Sequence, residues 1–162
     1  MAVAKQLTRS DERRGCAQLD EDRRGRELAE VALDLLDEAV TLTRRVRSQL
    51  GSLREVHHAA SGWERLIAVS ALLRGLDALG AGAWFGGQRL SGAALELGSP
   101  ALRVAVPEIS AVALGLDLRA LKAGTPGSMR DALLGCEAAL ARFTEARDAC
   151  RSAATRLRWR CG

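Results

Sequence analysis

Apolar residues recur alternately four and three positions apart over two long stretches of the chain. The first stretch comprises Leu28, Ala32, Leu35, Ala39, Leu42, Val46, Gln49, Leu53, Val56, Ala60, Trp63 and Ile67. The second comprises Met129, Leu133, Cys136, Leu140, Phe143, Arg147, Cys150, Ala154, Leu157 and Cys161. This spacing is the heptad repeat of helices that pack lengthwise against one another. It predicts one long helix over 26–80 and a second over 128–161.

The residues between the two predicted helices have a different pattern. Leu102, Val104 and Val106 alternate with less apolar neighbours until Pro107, which indicates a short strand. Residues 93–97 are its candidate antiparallel mate across a Gly-Ser-Pro turn. We therefore predict a small irregular or β-hairpin head over 86–127. Residues 1–25 are highly charged and are predicted to be an N-terminal extension, interpreted as a frayed stretch of helix.

Two heptad helices separated by a compact head most simply fold back on each other. We predict a single all-α domain over 1–162, built as a long antiparallel coiled-coil helical hairpin with the head between its arms. The residues expected to form the coiled-coil seam are Leu28, Leu35, Leu42, Val46, Leu53, Leu133, Leu140, Phe143 and Leu157.

Composition supports a helical protein and limits its location. Hydrophobic residues make up 48% of the chain and aromatic residues only 3%. The net charge of +4 is carried almost wholly by arginine, which permits an acidic partner but identifies none. The N-terminus lacks the pattern of a signal peptide, and Arg74 and Asp77 interrupt the most apolar stretch. A cytoplasmic protein is expected.

The candidate catalytic groups fail on geometry or context. His57 and His58 are adjacent, so on a helix they point about 100° apart and cannot share a metal. The glycine-rich run over 80–87 follows a helix and lacks the Gly-Lys-Ser/Thr of a phosphate loop, so Trp84 and Phe85 are interpreted as apolar plugs at a helix end. We predict no catalytic residue, cofactor, metal or small-molecule ligand.

The four cysteines do not form a recognisable site. No C-x-x-C pair occurs among the four, which are Cys16, Cys136, Cys150 and Cys161. Three of them fall on the last predicted helix. Consecutive cysteines there are about 15–20 Å apart along the helix axis, which is too far for a disulfide within one chain. They are expected to be reduced.

Three segments resemble the D-subunit family of the V-type (archaeal and bacterial A/V-type) ATPases. Residues 28–42 are similar to the leucine-rich run of the family's first helix, and Leu102-Arg-Val-Ala-Val-Pro-Glu-Ile is similar to its Val-Pro-Glu-Ile segment. Thr155-Arg-Leu-Arg-Trp-Arg is similar to the arginine-rich stretch of its last helix. Acidic Asp37 and Glu38 replace family lysines, and the last helix is expected to be shorter than in the family.

The resemblance implies a non-catalytic central-stalk component, a rotor shaft that couples ATP turnover to ion transport. Its partners would be the other ring and stalk subunits, and it would meet the membrane only through that complex. Candidate partner contacts are Val106, Pro107, Glu108, Ile109, Arg156 and Arg158.

Two other functional classes stay open on the sequence. The seams would equally serve a helical scaffold that associates with itself as a homo-oligomer. The arginine-rich C-terminal helix would suit a DNA-associated protein, although limited aromatic interleaving makes nucleic acid a weaker hypothesis.

Overall fold

The computed structural model describes residues 2–53, 59–98, 101–123 and 127–161, with side chains over 15–53, 62–98, 101–123 and 127–159. In chain order the elements are α1 (Ala2–Leu53), α2 (Ala59–Gly82), β1 (Trp84–Phe85), β2 (Gln88–Arg89), β3 (Ala94–Glu96), β4 (Arg103–Ala105), a 3-10 turn (Val112–Leu114), α3 (Leu118–Ala123) and α4 (Ser128–Cys161). The prediction of a mostly helical chain with a small β region before the last helix is confirmed.

The first predicted helix is in fact two helices. α1 ends at Leu53, and α2 runs back along it. Leu72 lines a groove with Gln49, and Leu79, further along α2, lines a groove with Leu35, which comes earlier on α1. The two helices are therefore antiparallel. The prediction of one continuous helix over 26–80 is therefore wrong. Heptad spacing shows which face of a helix is apolar, but it does not show the direction of the chain. The four-three spacing of α1 continues into α2 by coincidence, although the chain direction reverses between them. Of the predicted seam, Val56 and the side chain of Ala60 lie outside the described residues.

The charged N-terminal segment is helical and continuous with the rest of α1. The helix begins at Ala2, and its side chains are described from Gly15 onward. Asp22 is only 4% exposed, and the Gln18 side-chain amide donates hydrogen bonds to its carboxylate (3.1 Å) and to the Gly98 carbonyl (3.3 Å). This part of α1 therefore supports the β region.

α4 lies along α1 with the residue numbers running in opposite directions. Arg47 forms an ion pair with Glu137 at 3.0 Å, and Asp37 forms one with Arg147 at 3.4 Å. The buried residues of α4 are mostly small: Ala132, Cys136, Ala139, Phe143, Ala146, Cys150, Ala153, Ala154 and Leu157. Small side chains at a contact let two helix backbones approach closely.

The β region consists of two antiparallel hairpins. The hairpin of β3 and β4 pairs Leu95 with Val104, which confirms the mate predicted for residues 93–97. The second hairpin pairs Trp84 with Arg89 and was not predicted. Its strands have two residues each, too few for an alternating pattern to be recognised. After β4, the Ile109 N–H donates a hydrogen bond to the buried Ser91 hydroxyl at 2.9 Å.

Three helix glycines let the segment between α2 and α4 approach the helices closely. A Cβ at Gly25 of α1 would overlap the backbone at Leu97 and Gly98, and a Cβ at Gly80 of α2 would overlap the Ile109 carbonyl oxygen. A Cβ at Gly135 of α4 would overlap the Leu114 carbonyl oxygen. Each of these glycines belongs to a different helix, so the segment is in close contact with all three.

Candidate interaction site

The predicted α1 seam is buried or partly buried, and part of it is covered by α2 rather than by α4. Leu28, Leu35 and Val46 are buried, whereas Leu42 and Leu53 are partly buried. Leu35 lines a groove with residues of α2, while the ion pairs described above place α4 on the neighbouring side of α1. The seam thus serves two partner helices rather than the single partner predicted.

A second buried stripe on α1 was missed. It consists of residues at seven-residue intervals that are completely buried: Ala29, Leu36, Thr43 and Leu50. The Thr43 hydroxyl is satisfied within the helix, because it donates to the Ala39 carbonyl at 2.8 Å. The two adjacent stripes make an apolar face too wide for one neighbour. This repeat is visible in the sequence and was the signal for a third helix.

The α4 seam contains one charged residue, and the structure explains it. Phe143 and Leu157 are buried, and Leu133 and Leu140 pack partly buried against the core. Arg147 occupies a seam position with its side chain 21% exposed, and its guanidinium lies 3.4 Å from the carboxylate of Asp37 on α1 and 3.5 Å from that of Asp148. A long arginine stem packs against apolar neighbours while its charged head reaches a carboxylate.

The predicted partner-contact segment is mostly internal. Val106 and Ile109 are 2% and 1% exposed, so the prediction that their side chains meet a partner is wrong in this fold. Both belong to the hydrophobic core, and Pro107 is partly buried. Glu108 alone in this segment is exposed. The alternation of a strand identifies the apolar side chains but not whether a helix covers them.

Several arginines of α4 are already engaged within the chain. The Arg142 guanidinium donates to the Ala113 carbonyl at 2.8 Å, and Arg151 lies 3.6 Å from Asp148. Arg156 and Arg158 are exposed, and neither forms an ion pair within the part of the chain that the structure describes. Fewer arginines of α4 are therefore available to an acidic partner than the number of arginines in its sequence indicates.

Large apolar side chains on α2 are exposed where burial was predicted. Trp63 and Ile67, both assigned to the first seam, are 55% and 52% exposed. Trp84, predicted to be an apolar plug, is 58% exposed, although the neighbouring Phe85 is partly buried. Trp63 and Ile67 lie away from the core because α2 presents Val69, Leu73 and Leu76 to the core instead.

The described cysteines are free thiols in two environments. Cys16 is exposed, whereas Cys136 and Cys150 are completely buried. Burial raises the pKa of both inner thiols to about 11, with Arg47 opposing and Glu137 reinforcing the shift at Cys136. The side chain of Cys161 and both histidines lie outside the described residues. Within the described ranges, no three His, Cys, Asp or Glu side chains are grouped as metal ligands.

The chain matches no known protein-family model and no curated protein sequence. None of the described helices is both long enough and apolar enough to span a membrane.

Proposed function

We propose that the protein is a non-catalytic central-stalk component of a V-type ATPase or ATP synthase, in which α1 and α4 form an antiparallel coiled coil. In this role the chain transmits rotation between the ATP-hydrolysing ring and the ion-translocating part of the complex. The shaft itself needs no active site and no cofactor. Its contact with the membrane's cytoplasmic face is through the complex alone.

The observation that carries the proposal is the lengthwise contact between α1 and α4 in opposite directions. The Arg47–Glu137 and Asp37–Arg147 pairs are ten residues apart on each helix, so the contact persists over at least about 15 Å of helix axis. The buried residues continue beyond both pairs, to Leu157 on α4 and Leu28 on α1. Long paired helices are the form that the resemblance to the D-subunit family implies for a shaft.

A shaft that transmits torque must also be stiff where its head is attached. Here the β region and the chain after it touch all three long helices at Gly25, Gly80 and Gly135. Close-packed interiors have low compressibility and transmit strain. The head would therefore turn with the helices as one body, which is what coupling to a second stalk component requires.

The surfaces available to ring and stalk partners are Glu108 with the edge of Pro107 in the head, and Arg156 with Arg158 on α4. Both arginines are exposed, as is Glu108. Because Val106 and Ile109 are buried, they would support the Glu108 surface from beneath rather than touch a partner.

Co-expression with the catalytic and stalk subunits of a V-type ATPase tests the proposal. We expect an affinity-tagged chain to co-purify with these subunits and to bind no nucleotide by itself. The double variant Arg156→Glu/Arg158→Glu should weaken retention, because it reverses two exposed charges. Arg23→Glu on α1 is the matched control, since Arg23 is also exposed and its only described ion pair is the surface pair with Glu27.

A folded chain that elutes without any ATPase component would overturn the stalk role. Nucleotide hydrolysis by the purified chain would also contradict it.

A further inference from the structure

An open groove of about 440 Å³ lies between α1 and α4. We call it the α1–α4 groove, and its lining residues are Arg44, Arg47 and Ser48 of α1 and Leu140 and Thr144 of α4. Arg44 comes three residues before Arg47 and four before Ser48, so all three share one face of α1. The two helices thus bring two guanidinium groups and two hydroxyl groups to one place.

The positive charge of the groove is only partly compensated. Arg47 donates a hydrogen bond to the Glu137 carboxylate of α4 at 3.0 Å. Arg44 is exposed and forms no ion pair or hydrogen bond within the described part of the chain. Like charges three positions apart on a helix repel each other. Two guanidinium groups are therefore accompanied by one carboxylate, and the groove keeps a net positive charge.

The hydroxyl groups of the groove are free. The other threonines with described side chains each donate to the backbone carbonyl four residues earlier, at 2.9, 2.8 and 2.9 Å for Thr41, Thr43 and Thr155. Thr144 is half-buried, yet its hydroxyl forms no such bond, and the Ser48 hydroxyl forms none within the described residues either. Helix threonines commonly satisfy themselves in this way, so Thr144 is an exception among them. Both groove hydroxyls are available to a ligand.

We propose that the α1–α4 groove binds a phosphate group. Each of its four polar side chains can donate hydrogen bonds, and the two guanidinium groups have no acceptor at all. Arginine pairs with two phosphate oxygens at once through its planar fork. A tetrahedral phosphate presents oxygens in enough directions for donors on both helices, whereas a carboxylate presents only two oxygens in one plane.

The remaining lining residue limits what else is recognised. Leu140 is the only large apolar side chain that lines the groove, and none of the lining residues is aromatic. Nucleobases are usually held by stacking on aromatic side chains. The ligand is therefore recognised through its phosphate and not through a base. This binding goes beyond the stalk role, which needs no ligand.

A nuclear magnetic resonance titration of the isotope-labelled full chain with inorganic phosphate tests the proposal. Chloride holds the ionic strength constant, so that general screening does not change. We expect saturable shifts centred on the backbone amides of Arg44, Ser48 and Thr144, and much smaller shifts with acetate. A parallel titration with glycerol phosphate separates two sources of the group. Binding of both compounds indicates a phosphate carried on a larger molecule, and binding of inorganic phosphate alone indicates the free ion.

Replacing Arg44 tests the charge. Arg44→Gln should raise the dissociation constant for phosphate at least about tenfold, because it removes a charge-assisted hydrogen bond. Arg45→Gln is the matched control, since Arg45 is the next residue and is also exposed, but it lines a groove with α2 instead. At constant ionic strength its effect should stay below about twofold.

Replacing Thr144 tests the hydroxyl. Thr144→Val keeps the shape of the side chain and should raise the dissociation constant about threefold to tenfold, the effect of one hydrogen bond. Thr155→Val is its control on the same helix, because the Thr155 hydroxyl already donates to the Arg151 carbonyl. It should leave phosphate binding unchanged.

Thermal unfolding without phosphate verifies that each variant is folded. Equal effects of Arg44→Gln and Arg45→Gln would show a general attraction of phosphate to a basic chain and would overturn the site. Shifts that do not saturate, that are centred on other arginines, or that acetate reproduces would overturn it as well. These measurements use the isolated chain, so their outcome is independent of whether the chain joins an ATPase.

Discussion

The contact between α1 and α4 and the attachment of the β region are stabilised in different ways. Along α1 and α4, buried residues recur every three or four positions, and most of them are alanines or leucines. The segment from β1 to the 3-10 turn instead meets the helices at three glycines, where its backbone lies against the helix backbone. One contact is distributed over many side chains, whereas the other combines buried side chains such as Leu95 and Ile109 with three close backbone approaches.

This difference predicts how each region tolerates substitution. In a distributed contact the free energy lost depends on the volume removed, because each side chain contributes in proportion to the area it buries. At a close backbone crossing a single added carbon forces the backbone to move, whatever its chemistry. Substitutions in the two regions therefore separate the two kinds of stabilisation.

The largest expected loss is in the helix contact, at Phe143. Its ring is 1% exposed and is the largest fully buried side chain, so Phe143→Ala should lower the free energy of unfolding by about 3–5 kcal/mol. Urea denaturation followed by circular dichroism measures it. Trp159→Ala is the control, because Trp159 is 84% exposed, and its effect should stay within about 0.5 kcal/mol. Equal losses in the two variants would contradict the placement of Phe143 in the core.

The next effect is at the backbone crossings. Gly80→Ala and Gly135→Ala should each lower the free energy of unfolding by about 1–3 kcal/mol, because the new Cβ overlaps a carbonyl oxygen. Gly75→Ala is the matched control on α2, since a Cβ there meets no described atom within 4 Å. It should stabilise the protein by about 0.5–1 kcal/mol, as alanine favours a helix over glycine. A stabilising Gly80→Ala would refute the close crossing.

A pH-dependent effect concerns the two buried thiols of α4. Their pKa of about 11 lies above the ordinary value of 9, so the folded state favours the protonated thiol. The stabilisation is therefore complete below pH 9 and is lost as the pH rises through 11. We expect the urea midpoint to fall as the pH rises from 9 to 11, and to fall less in Cys136→Ala/Cys150→Ala.

Thiol labelling gives a second reading of the same environments. At about pH 8 a thiol reagent should modify exposed Cys16 in the folded chain and leave Cys136 and Cys150 unmodified. Rapid labelling of Cys136 without denaturant would show that the contact between α1 and α4 opens readily.

Periodicity was sufficient to predict the helical character and most of the core. Leu28, Leu35, Val46, Phe143 and Leu157 are buried as their heptad positions indicate. Strand alternation likewise predicted the hairpin of β3 and β4. These features depend on neighbours in sequence, whose geometry is set by 3.6 or two residues per repeat.

Periodicity did not reveal where the chain reverses or which neighbour covers each face. Trp63 and Ile67 continue the first seam in spacing, yet they are exposed because α2 runs back along α1 with a different face inward. Val106 and Ile109 could be recognised as apolar, but only tertiary packing, with Ile109 against Gly80 of α2, decides that they are internal.

The sequence by itself determined that this protein is mainly helical, with two heptad stretches and a small hairpin between them, because those features follow from local repeat geometry. Only the tertiary structure decided that the first stretch is two helices and that glycines allow the β region and the chain after it to pack closely against all three long helices. It also decided that a tryptophan-bearing face of α2 is left in solvent. These outcomes depend on contacts between residues far apart in sequence, and a local pattern carries no record of such contacts.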